Sequence, residues 1–110
     1  MKTLKFTPQL CALIIAGEKT STWRLFDDKD LQQGDELVFI NKVTGESFGT
    51  AIIDTCIVKT LGTLDDADWT GHERFESEEA MYAAYRTYYG DRVTPDTEVK
   101  LLSFTFTPEN

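Results

Sequence analysis

The first 26 residues constrain the fold most, because they change structural period twice. Lys2 to Phe6 alternates polar and apolar side chains, as a short edge strand does. Thr7-Pro8 then predicts a helix start, with Thr7 as N-cap and Pro8 at the first helical position, where its missing N–H does no harm. Leu10, Leu13 and Ile14 share one face at helical spacing, so this helix is expected to pack on a sheet. Gly17 supplies the left-handed residue that ends it. The Thr, Ser and Trp residues that follow favour an extended strand from Thr20 to about Phe26.

Strand patterns dominate what comes next. Asp27-Asp28-Lys29-Asp30 reads as a solvated charged turn, and Gly34-Asp35 leads into Glu36 to Ile40, a buried strand rich in branched and aromatic side chains. Thr44-Gly45-Glu46 reverses the chain into a second strand from Phe48 to Val58, with Phe39 and Phe48 as core residues. Lys59 to Trp69 reads as a loop leading into a short helical turn. Ser77 then caps a second helix whose first turn carries Glu78 and Glu79, where the helix dipole favours anions. Met81, Ala84, Tyr85 and Tyr88 recur at three- and four-residue spacing and form the expected core-facing stripe, which Gly90 ends. Glu98 to Phe106 alternates as a closing strand, with Leu102, Phe104 and Phe106 on one face. Strands and two helices in a chain of 110 residues make a single α+β domain over 1–110.

Charge narrows the partners. Eleven basic against 19 acidic residues give a net charge of −8, which withholds the long-range attraction that phosphate-binding proteins use, so a long RNA partner is disfavoured. A local basic patch around Lys19, Arg24 and Lys29 is compatible with that total. No apolar run approaches the roughly 20 residues of a membrane span, and no signal-like segment opens the sequence, so a cytoplasmic protein without a membrane partner is expected. Cys11 and Cys56 have no Cys or His at metal-ligand spacing and read as reduced core thiols. Asp65, Asp66 and Asp68 lie close together but lack the glycine and spaced glutamate of an oxygen cage, so no metal is expected. His72, the sole histidine, is a candidate acid or base by its titration range, although a loop histidine is ordinarily a polar surface residue.

Chemistry concentrates at Gly17-Glu18-Lys19-Thr20-Ser21-Thr22-Trp23-Arg24, which holds two cations and three hydroxyls where a helix stops and a strand starts. A neutral alcohol becomes a useful nucleophile when a neighbouring base takes its proton. By residue type alone, these side chains are equally ordinary turn residues. The pattern G-x-K-x-x-T-x-R after a short apolar helix, followed by Leu31-Gln32-Gln33-Gly34-Asp35-Glu36-Leu37 leading into a strand, resembles the ASCH family of small PUA-like domains. Within that family it is most similar to the bacterial N4-acetylcytidine amidohydrolases, which carry threonine at the position of Thr22 where the common pattern has glutamate. The similarity runs through an acidic helical segment ending at Tyr88-Tyr89-Gly90 and a last apolar strand.

The resemblance implies a PUA-like mixed β-barrel with a short N-terminal helix and a second helix near the C-terminal part. It also implies hydrolysis of an N4-acylcytidine to cytidine and a carboxylate, with no cofactor. Carried over by position, Thr22 is the nucleophile and Lys19 its base. Glu73, placed by aligning Gly90 with the family's glycine at that helix end, is the acid that serves the leaving nitrogen. Arg24, Ser21 and Trp23 are the expected substrate contacts, with Trp23, Trp69 or a tyrosine as the surface that stacks the pyrimidine. A base role for Lys19 demands a lysine whose pKa is depressed by burial or by Arg24. Regular strand geometry would set Lys19 beside Ser21, so for Lys19 to reach Thr22 it must still lie in the turn after Gly17; otherwise Ser21 becomes the better nucleophile. An RNA-binding module, an RNA-cleaving enzyme that uses Lys19 with a tyrosine or His72, and an acidic structural partner protein are the alternatives. Oligomeric state is left open.

Overall fold

The computed structural model describes residues 1–72 and 74–109. Strand β1 (Lys2–Phe6) runs into helix α1 (Pro8–Ile15), and the Thr7 hydroxyl accepts the Leu10 N–H as the expected N-cap. Gly17, at φ +78°, turns the chain out of the helix and into β2 (Ser21–Leu25). Next come β3 (Glu36–Asn41), the long β4 (Ser47–Thr60), two 3₁₀ turns at Leu61–Thr63 and Asp66–Trp69, helix α2 (Glu78–Tyr89) and β5 (Glu98–Pro108).

The five strands form one mixed sheet in the order β1-β3-β4-β5-β2. β1 pairs with β3 in parallel, and the other pairings are antiparallel. The register shifts between Phe39 and Ile40 and between Ile53 and Thr55, and such bulges add twist and bend the strands that carry them. The sheet therefore curls into a half-barrel. β1 and β2, joined through α1, are its two opposite edges, and the curl brings them face to face: the Arg24 guanidinium on β2 lies 5.3 Å from the Phe6 ring at the end of β1.

Neighbouring residues of β5 serve different cores, as the period of two requires. Leu102 and Phe104 join Leu4, Phe6, Ile14 and Phe39 inside the curl, while Val99 and Leu101 join Trp23, Leu25, Met81 and Tyr85 under α2. Phe39 is wholly buried and meets the rings of Phe6, Phe104 and Phe106 at 4.8, 5.0 and 5.8 Å, so its truncation to alanine is expected to cost about 3–5 kcal/mol.

Two expectations need correction. Tyr88 does not continue the core stripe: Met81 and Tyr85 are buried, but Tyr88 is 61% exposed because the last turn of α2 overhangs a cleft. The turn after β2 is not merely a solvated loop. Asp27 is nearly buried, accepts the Lys29 and Leu31 N–H groups, and receives the Lys100 ammonium at 2.8 Å, which ties the turn to β5. Cys11 and Cys56 are free thiols, as expected. No helix among the described residues is long and apolar enough to cross a membrane.

Candidate functional site

The junction after α1 stays wound onto the helix end. The N–H groups of Glu18 and Lys19 both donate to the Leu13 carbonyl, at 2.9 and 3.2 Å, and regular strand pairing starts only at Ser21. Lys19 therefore sits outside the strand, in the turn after Gly17, as expected for its backbone. Its side chain is buried, 2% exposed, an unusual state for a lysine.

A second segment docks on the same place. The Gly71 carbonyl accepts the N–H groups of Thr20 and Ser21 at 2.8 and 3.1 Å, and the Ser21 hydroxyl donates to the Thr70 carbonyl at 3.2 Å. Gly71 has φ +74°, and a Cβ there would lie 2.0 Å from the Thr20 Oγ1, so both backbone and space demand glycine. The docking carries His72 inward. It is buried and stacks on Trp23 with ring centroids 4.0 Å apart, a packed residue where a surface loop histidine was expected. Glu73, the expected acid, lies outside the described residues.

Thr22 and Arg24 line a cleft of about 430 Å³ at the seam between the two sheet edges. Lys5 and Phe6 of β1, the start of α1 and Lys42 form one wall; His72, Phe75 and the tyrosines Tyr85, Tyr88 and Tyr89 form the other. Lys42 is fixed there because its N–H donates to the Phe6 carbonyl at 2.8 Å. Three cations, Lys5, Arg24 and Lys42, thus line one cleft, with no carboxylate among its described lining residues. Burial pulls the Arg24 guanidinium below its ordinary pKa, opposed by Tyr89, Tyr85 and Asp27, and its buried Nε has no hydrogen-bond partner among the described residues. A second cleft, of about 490 Å³, lies against Arg24, Phe26, Asp27 and Val58 and contains none of the junction hydroxyls, which separates it from the chemistry of Lys19 and Thr22.

The remaining expected site residues divide clearly. Ser21 is buried, is absent from the cleft lining, and its hydroxyl is engaged by Thr70, which leaves Thr22 as the cleft's junction hydroxyl. Trp23 lines the cleft, is 4% exposed and packs against Trp69 at 4.4 Å and against His72; Tyr88 is the exposed aromatic of the lining. Of the expected basic patch only Arg24 lines the cleft; Lys19 and Lys29 are not among its lining residues, and Lys5 and Lys42 supply the other cations there. Asp65 and Asp68 are engaged by Lys59, with Lys59–Asp68 at 2.8 Å, and by the backbone of their own 3₁₀ turn, and no metal-binding group occurs among the described residues.

No protein-family model and no curated protein matches the sequence. Solved structures do match its fold. A DUF984 protein from Enterococcus faecalis V583 superposes with a TM-score of 0.75 at 14% identity, over 91% of this chain and 71% of its own. An ASCH domain from Lactobacillus crispatus JV V101 gives 0.69 at 20% identity, over 92% and 72% of the two chains. The ASCH protein of Zymomonas mobilis gives 0.62 at 18% identity, over 94% and 65%. With the strand order and the two helices in place, the chain has the fold of the ASCH domains, a PUA-like α+β half-barrel.

Proposed function

We propose that this protein is an amide hydrolase that removes the N4-acyl group of N4-acetylcytidine-type substrates. The observation that carries the reading is a buried lysine held outside the strand, Lys19, three residues before a threonine that lines a cleft of nucleoside size. Its volume falls within the roughly 300–1,000 Å³ of small-molecule sites.

In this scheme Lys19 takes the Thr22 hydroxyl proton while Oγ1 attacks the acyl carbon. Arg24 or backbone N–H groups near Gly17 stabilise the oxyanion. Collapse breaks the C–N4 bond, Glu73 gives N4 its proton, and cytidine leaves an acyl ester on Thr22. Water deprotonated by Glu73 then attacks the ester, the ester C–O bond breaks, Thr22 regains its proton from Lys19, and the carboxylic acid gives its proton to solvent as it departs as the carboxylate.

The test is ultraviolet monitoring of N4-acetylcytidine with purified protein and no added metal, run beside Lys19→Ala. Loss of the acylcytosine absorbance with wild type alone supports the reading. No loss with folded wild type rejects it. A second reading, an RNA-cleaving enzyme of the same fold, is favoured by the three cations of the cleft, which suit a phosphodiester; release of fragments from a short RNA distinguishes it.

A further inference from the structure

We infer that the cleft binds a phosphate group on its pyrimidine ligand, so that the preferred ligand is a nucleotide rather than a free nucleoside. The inference rests on the reading of this cleft as the substrate site and extends it to the charge of the substrate. Lys5, Arg24 and Lys42 line one concavity in a chain of net charge −8, and no carboxylate stands among its described lining residues. Amid 19 acidic residues, three cations with no carboxylate among the described lining residues locally reverse the molecule's sign, and the Glu73 of the proposed chemistry offsets only one of them.

None of the three makes an ion pair among the described residues; backbone and rings position them, and Arg24 also feels the charge of Asp27. β1 pairs Lys5 with Ile40 and Phe6 with Asn41, and the Lys42 N–H closes on the Phe6 carbonyl, so both lysines sit at one end of the β1–β3 pair. Arg24 approaches from the opposite edge, over the Phe6 ring at 5.3 Å, with a buried Nε that has no hydrogen-bond partner among the described residues. Lys42 lies 5.6 Å from the Tyr88 ring centroid. An aromatic face does not neutralise an ammonium as a carboxylate does, and it leaves the cation able to meet an anion. Tyr88, exposed beside Lys42, offers a face for the base, and the cations offer donors for the phosphate. Because the rest of the chain repels polyanions, a phosphate confined to the cleft suits this surface better than a long strand does.

The test is calorimetric titration of wild type with cytidine, 5′-CMP and a short cytidine-containing RNA, repeated with Lys5→Ala/Lys42→Ala and with the charge-reversed Lys5→Glu/Lys42→Glu pair. CMP is expected to bind at least about tenfold more tightly than cytidine, and that difference to collapse in both double variants. An RNA that binds no more tightly than CMP assigns the phosphate to a mononucleotide; one that gains further in proportion to its length, with the gain lost at raised salt, assigns it to a phosphodiester and overturns the nucleotide preference. Equal affinity for CMP and cytidine, or an advantage that survives charge reversal, overturns the phosphate site. Hydrolysis of N4-acetylcytidine is followed in parallel. Turnover with no CMP preference sinks the phosphate site alone, whereas a CMP preference without turnover sinks the amidohydrolase and leaves the phosphate site standing.

Discussion

The molecule treats its cations in two ways. Lys2, Lys59 and Lys100 each meet an aspartate, Asp35, Asp68 and Asp27, at 2.7 to 2.8 Å. Each of those contacts fastens a turn to a strand. In the cleft, Arg24 and Lys42 face aromatic rings instead, and Lys5 stands exposed beside them. The first set spends its charge on the fold. The second is left without a carboxylate partner among the described residues, which is the basis of the phosphate site proposed above.

Substitutions can break that contrast. The largest effect belongs at the junction: Lys19→Ala and Thr22→Ala should each lower turnover of N4-acetylcytidine by about 10²-fold or more while circular dichroism stays native. Retained activity in both would remove the cleft from the chemistry. Gly71→Ala follows, since it forces a positive φ on alanine and a collision with the Thr20 Oγ1. We expect a loss of about 2–3 kcal/mol in denaturant unfolding, with turnover falling as the segment undocks from β2.

The direct comparison is Lys100→Met against Lys5→Met or Lys42→Met. Removing Lys100 strands the Asp27 carboxylate, 6% exposed, with only its backbone donors, and should cost about 2 kcal/mol. The cleft variants should move stability by no more than about 0.5 kcal/mol. Equal destabilisation by all three would show that the cleft cations are structural after all.

The smallest effect is in pH. Burial by itself would raise the Asp27 carboxyl, but Lys100 and the Leu31 and Lys29 N–H groups outweigh it and hold the carboxyl below its ordinary value. Its contribution to stability is therefore present above about pH 4 and fades as pH falls through the folded-state value. Lys100 is raised, first by its hydrogen bond to Asp27, so its contribution is complete below about pH 10 and is lost as pH climbs through its folded value. Thermal melts of wild type and Lys100→Met across this range should differ most on the plateau between those limits and converge at the acid end.

Local signals were legible where chemistry is local. Thr7-Pro8, Gly17 and the alternation of β1 and β5 identify those elements correctly, and the stop at Gly17 foretells that Lys19 precedes the strand. The stripe reading failed at Tyr88 because helical spacing says which way a side chain points and nothing about how far the surface beneath it extends. Asp27 looked solvated because its partner Lys100 is supplied by a distant strand. Lys5 and Lys42 were missed for the same reason. Nothing along the chain connects them to Arg24 until the sheet curls and sets its first strand opposite its second.

That seam has a mechanical consequence. β1 is held in the sheet by a single neighbour, β3, and it carries Lys5 and Phe6, part of one wall of the cleft. Peeling this ribbon away dismantles the cleft while the antiparallel body of β3, β4, β5 and β2 keeps its pairings. A ligand that bridges the two edges acts as a clasp, and the amide protons of the N-terminal strand, more than those of β4, should report its grip by exchanging more slowly with solvent.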